Sequence, residues 1–141
     1  MNSYYNSLLT PKRKENLKFV LSNAFLDDSG NPLEWELRQL TAAEGAELAR
    51  ENANSLRTLT TMVARSLVRP DLHNAEFLRA LSQQRGRTFL DAAEALTALV
   101  TDSELAKLIL LYELHNTVET QAQKPEEAAE AGAQGEGIKA L

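Results

Sequence analysis

The hydrophobic period changes at Thr41, and that change limits the folds open to this chain. Before it, from Lys18 to Leu40, apolar residues recur at every second position. Phe19 and Leu21 share one face of a strand, and Leu33, Trp35 and Leu37 alternate with Glu34, Glu36 and Arg38 in a second. Between them lies Asp27-Asp28-Ser29-Gly30-Asn31-Pro32, a dense turn signal in which Gly30 is free to take a positive φ. The reading is an N-terminal β-hairpin over about residues 18–40. A lone hairpin is marginal in water, so its apolar face has to lie on helices or on a partner.

After the change, the spacing becomes helical. Thr41-Ala42-Ala43-Glu44 has the form of a capping box, in which the threonine oxygen meets a free N–H and the glutamate reaches back. A first helix follows to about Asn52, where a break is expected. A second carries Leu56, Leu59, Val63 and Leu67 at spacings of three and four, and Pro70 ends it. Asn74 caps a third with Phe77, Leu78 and Leu81 on one side, and Gly86 closes it. A fourth is expected from Thr88, with Phe89, Ala92, Ala93, Leu96, Leu99 and Val100 as its stripe. A second capping box, Thr101-Asp102-Ser103-Glu104, opens a last helix to about Asn116. Short loops make consecutive helices neighbours in space. The expected fold is mainly α: a small bundle of about five helices with an N-terminal hairpin, within one domain spanning 1–118.

Composition shifts near Glu119. From Thr120 to Leu141 there are six Ala, four Glu, three Gly and no aromatic residue, and only Ile138 and Leu141 are large and apolar. Such a segment cannot offset its conformational entropy by burial, so 119–141 reads as a flexible, disordered tail.

Several function classes have little to build on. Cysteine is absent, which removes thiolate metal sites and cysteine nucleophiles, and there are two histidines. His73 sits in a connector near Asp71, where a loop histidine is the simpler reading than a ligand. His115 lies near the end of the last helix, a position where the helix dipole favours a cation. No serine stands in a nucleophile-elbow context, and no glycine-rich phosphate loop is present. No catalytic residue, metal site or cofactor is assigned. The net charge of −5 argues against a broad nucleic-acid footprint. The longest wholly apolar run, Leu108–Tyr112, is far short of the roughly 20 residues that span a membrane, and residues 1–9 lack the basic start of a secretory signal. Lys12, Arg13, Lys14 and Lys18 form a small basic cluster that reads as a solvated entry to the fold. A helix-turn-helix reader over Leu56–Leu81 has only a thin recognition surface in Arg79, Arg85 and Arg87.

The last helix is the most informative. Leu105, Leu108, Ile109 and Tyr112 form one stripe, whereas Leu110 and Leu114 lie one turn apart on another side. A helix apolar on two sides is either sandwiched in a core or offers one side to a partner. Trp35 has the same two readings, core anchor or binding hot spot.

The ordered blocks resemble a known family. Ser22-Asn23-Ala24-Phe25, the turn Asp27–Pro32, and Trp35-Glu36-Leu37-Arg38-Gln39-Leu40-Thr41 look like the start of phage tail assembly chaperones of the PBSX-prophage (XkdN-like) type. Met62–Glu76, with its Pro70-Asp71-Leu72-His73-Asn74-Ala75-Glu76 connector, is similar to the family's middle block. Ala93-Glu94-Ala95-Leu96, Glu104–Leu108 and Glu113-Leu114-His115-Asn116 fit the later ones. The resemblance covers roughly Lys18–Asn116. It implies a non-enzymatic protein of the host bacterial cytoplasm that binds the tape measure protein, keeps it soluble while the tail tube polymerises, and is absent from the mature virion. It also implies a longer form made by ribosomal frameshifting, through which the tail tube protein would be met. A partner-binding strip is expected on Leu110 and Leu114 and on the hairpin edge at Trp35 and Leu37. Homo-oligomerisation stays open. The alternatives are a generic helical protein-interaction adaptor and a small DNA-binding regulator.

Overall fold

Three strands and six helices make up the described part of the computed structural model, which covers residues 2–51 and 54–120. The order is α1 (Ser3–Leu9), β1 (Leu17–Val20), β2 (Glu34–Leu37), α2 (Ala42–Glu51), α3 (Ser55–Ser66), β3 (Leu67–Arg69), α4 (Ala75–Arg85), α5 (Ala92–Leu99) and α6 (Asp102–His115). The chain is mainly helical and does carry the hairpin. The tail expected beyond Thr120 and the break expected at Asn52 lie outside the described residues.

The hairpin pairs Phe19 with Trp35 and Val20 with Glu34 in antiparallel register. Its turn closes through the Asp27 carboxylate, which accepts from the backbone N–H groups of Ser29 (2.8 Å) and Asn31 (2.9 Å). Gly30 supplies the left-handed residue at φ 86°. The sheet has a third strand that the hairpin reading lacked. Leu67–Arg69 pairs antiparallel with β2 after a register shift between Glu36 and Leu37. The sheet order is β1-β2-β3, so β2 is its centre.

The helices begin where their caps dictate. The Thr41 box forms in both directions, with Glu44 N–H donating to Thr41 Oγ1 (3.1 Å) and Thr41 N–H to Glu44 Oε1 (2.9 Å). Asn54, Asn74 and Asp91 cap α3, α4 and α5, and Gly86 ends α4 at φ 68°. The α5 cap corrects an expectation. The helix starts at Ala92, not Thr88, because Asp91 accepts from Glu94 N–H (2.9 Å). Phe89 therefore stands before the helix, with the Arg87 guanidinium 4.8 Å from its ring centre. The seven-residue α1 was also not expected.

The core lies between the sheet and the helices. Leu21, Trp35, Leu37, Val63, Ala64, Leu67, Leu72, Leu96, Leu108 and Tyr112 form one buried cluster. Helix α3 is the hub, packing on α2, α5, α6 and β3. At the end of β2, Arg38 grips α2 with a two-pronged ion pair to Glu44 (3.0 and 2.7 Å). That guanidinium, with the Thr41 N–H behind it, holds the Glu44 carboxyl down to about 2.

Candidate partner-binding surface

Helix α6 is held on one side and at both ends. Its inner stripe buries Leu108 and Tyr112, with Leu105, Ile109 and Leu111 packed against the core. The Thr101–Glu104 capping box closes its N-terminus. There Glu104 also accepts from Ser22 Oγ (2.5 Å), and that hydroxyl is the main reason its carboxyl sits below the usual range. One turn on, Lys107 Nζ donates to the carbonyls of Val20 (3.0 Å) and Leu21 (2.7 Å). The C-terminal end is clasped by three groups. Lys14 Nζ donates to the carbonyls of His115 (3.2 Å) and Thr117 (3.1 Å). Gln39 Nε2 donates to His115 O (3.0 Å), and Leu40 N–H to Asn116 Oδ1 (3.1 Å).

His115 is buried at this end, and its Nε2 finds no hydrogen-bond partner among the described residues. Burial first, and the Lys14 charge second, push its pKa below the ordinary value. The imidazole is therefore neutral at neutral pH. Desolvation and the neighbouring Lys14 ammonium oppose the positive charge that a helix C-terminus favours.

Opposite the held side, α6 is wet. Leu110 is 55% exposed and Leu114 59%. Val118, in the non-helical chain just past the helix, is 83% exposed. Leu110 and Leu114 stand one turn, roughly 6 Å, apart along the helix axis. Of the residues expected to bind a partner, these two leucines stand on the surface. Trp35 and Leu37 do not, being 3% and 0% exposed. The cause is β3. It takes the free backbone edge of β2, while the helices packed on the sheet face cover the Trp35 and Leu37 side chains.

Beside Trp35 an apolar hollow of about 280 Å³ remains, lined by Phe25, Leu33, Trp35, Pro70, Phe77 and Leu99. Phe25 tilts against the indole with ring centres 5.4 Å apart. Elsewhere, His73 and Asp71 are both exposed and stand 3.6 Å apart. Among the described residues no group of three His, Asp or Glu side chains converges as a metal site. Among the same residues, no helix is long and apolar enough to cross a membrane.

The second exposed apolar feature is α1. It buries none of its residues, and Tyr4, Tyr5, Leu8 and Leu9 are 54–67% exposed. At 100° per residue these four fall on one arc, with Ser3, Asn6 and Ser7 opposite. Sequence reading missed α1 and Val118. For α1 the signal was there, in a Tyr-Tyr-x-x-Leu-Leu spacing, whereas Val118 lies past the end of α6, where spacing by four no longer applies.

No family model matches the chain. No curated protein matches it either. Among solved structures, the crystal structure of the protein YqbN is similar, with a TM-score of 0.67 at 19% sequence identity. The match covers 84% of this chain and 98% of that one. At that identity the likeness establishes a shared fold.

Proposed function

We propose that this chain is a phage or prophage tail assembly chaperone that holds the tape measure protein soluble while the tail tube assembles around it. The observation that carries the reading is the outer strip of α6. Leu110 and Leu114 are apolar, exposed and mounted on a helix whose inner stripe and both ends are already committed. The order and spacing of the blocks from Ser22 to Asn116 supply the family context. A tape measure is a long helical chain whose apolar stripes would otherwise self-associate. A rigid helix face can cover such a stripe in a helix-to-helix contact, and a net charge of −5 keeps the complex dispersed. The protein works in the host bacterial cytoplasm and leaves before the virion is complete. A frameshifted longer form would bring in the tail tube protein.

Leu110→Asp and Leu114→Asp test this. Both side chains are more than half exposed, so the variants should melt like the parent. Pull-down of a co-expressed tape measure protein should be lost in each. Retained capture by the folded variants would remove the strip from the mechanism. If the unaltered chain captures no tape measure, the function is wrong. The DNA-reader alternative is disfavoured by β3, which stands where a helix-turn-helix needs a tight turn.

A further inference from the structure

Helix α1 should not survive alone. Seven residues are below the length at which a helix persists in water, and α1 has no charge pairs to help it. Its only apolar resource is the arc of Tyr4, Tyr5, Leu8 and Leu9, which faces water. Elsewhere the fold has the complement of that arc, the apolar hollow of about 280 Å³ beside Trp35, with Phe25, Phe77 and Leu99 in its wall. An apolar cavity of about 150 Å³ already accepts benzene, so this one has room for a large side chain. Glu34 and Arg69, both exposed, also line it and offer polar partners to a phenol hydroxyl.

The chain's own α1 is badly placed to use that hollow. Lys14 is clasped to the C-terminal end of α6 through the carbonyls of His115 and Thr117. The hollow lies toward the other end, where Leu99 leads into α6 and Lys107 holds the carbonyl of Val20, the strand partner of Glu34. The fourteen residues of α6 separate its two ends by about 21 Å. From Lys14 back to Leu9 the chain spans at most about 17 Å, even fully extended. A second copy has no such limit. A two-fold axis midway between arm and hollow sets each α1 beside the other copy's hollow, and the contact is made twice.

Area favours that arrangement. With 54–67% of each residue exposed, the arc offers roughly 450 Å². That is about half of the roughly 800 Å² that each partner gives up in a stable complex. One arm docked once falls short. In a reciprocal exchange each copy contributes its arc and a receiving face of comparable area, and so reaches about that amount.

We propose that the protein forms an arm-exchanged homodimer, in which α1 of each copy lays its Tyr/Leu arc on the apolar hollow beside Trp35 of the other. The arm orders only as it binds, which lowers the affinity per unit area, so the pair separates on dilution. Melts of the dilute chain then read the monomer. This surface is distinct from the outer strip of α6 and does not rest on the tape-measure reading.

Sedimentation velocity on the full chain over a concentration series tests it. The parent should pass from monomer to dimer as concentration rises. The joint variant Tyr4→Ser, Tyr5→Ser, Leu8→Ser, Leu9→Ser should keep the monomer's melting temperature and dimerise at least about tenfold more weakly. Leu33→Asp, at the exposed rim of the hollow, should do the same; should it fail to fold, the serine variant, which alters no core residue, decides. Leu110→Asp with Leu114→Asp should dimerise like the parent. The chain has no cysteine, so the double variant Leu9→Cys, Leu33→Cys reports which arm meets which hollow. Mild oxidation should join position 9 of one copy to position 33 of the other, read on a non-reducing gel and by peptide mass. A parent that stays monomeric overturns the proposal, as does a dimer that the serine variant leaves intact. A dimer dissolved by the α6 substitutions would place the receiving face elsewhere and also overturns it. So does an intrachain disulfide in the double variant, which would put each arm in its own hollow, or a disulfide joining like positions.

Discussion

Helices α1 and α6 both turn apolar side chains to water, yet for opposite reasons. Helix α6 has fourteen residues, a two-way capping box, a buried stripe and polar clasps at each end. Its exposed leucines are what is left after the fold has taken what it needs. Helix α1 has seven residues, one cap at Asn2 and nothing buried. Its exposed residues are the whole of its apolar content. The contrast separates apolar side chains left over on a helix that the core holds from those of a helix that buries nothing. Apolar exposure means different things on a helix that is already stable and on one that is not.

The largest effect should come from the inner face of α6. Leu108 is 0% exposed, so Leu108→Ala should cost about 2–5 kcal/mol in urea unfolding. Tyr5→Ala on α1 should leave the same curve within roughly 0.5 kcal/mol. Equal losses would erase the distinction. A smaller difference lies in the caps. Thr101→Ala should destabilise the protein by about 1 kcal/mol, because the capping box belongs to a helix that the core depends on. Asn2→Ala should not move the melting curve, since the cap it removes belongs to a helix outside the cooperative unit.

The mildest test is by pH. His115 is held below its ordinary value of 6.5, so the unfolded chain binds a proton that the folded one refuses. Its contribution is complete above about pH 6.5 and declines as the pH falls from there toward its lower folded value. The parent should lose stability over that window, and His115→Gln should flatten it. Glu44 acts lower down. Its folded value of about 2 against an ordinary 4.5 means stability present above pH 4.5 and lost progressively toward pH 2. Arg38→Ala should remove most of that acid dependence. Thermal melts across pH 2–8 would read both windows.

Much of the fold was legible because it is written locally. Two threonine boxes, an asparagine cap and a left-handed glycine announce helix ends within four residues of themselves. The hairpin was visible because alternation and a turn adjoin. What failed was either too short or too distant. Leu67-Val68-Arg69 continues the apolar spacing of α3 and becomes a strand only because β2 lies alongside. Residues 3–9 are two turns without a charge, below the reach of periodicity. Thr88 resembles a cap, but Asp91 outcompetes it three residues on. The candidate surface divides the same way. Leu110 and Leu114 follow from helix geometry alone. Trp35 does not, since alternation tells which face a side chain is on and not what covers it.

The Lys14 clasp has a mechanical consequence. Two hydrogen bonds from one ammonium join the start of the sheet to the end of the last helix, some 101 and 103 residues apart along the chain. Tension applied between the segment before Lys14 and the segment after Glu119 is borne first by the contacts of that ammonium, its 3.8 Å ion pair with Glu119 and the two carbonyl bonds. Load reaches the buried cluster only after they part. The clasp is a shallow mechanical fuse, and a chain pulled at these two segments would open there before its core was disturbed.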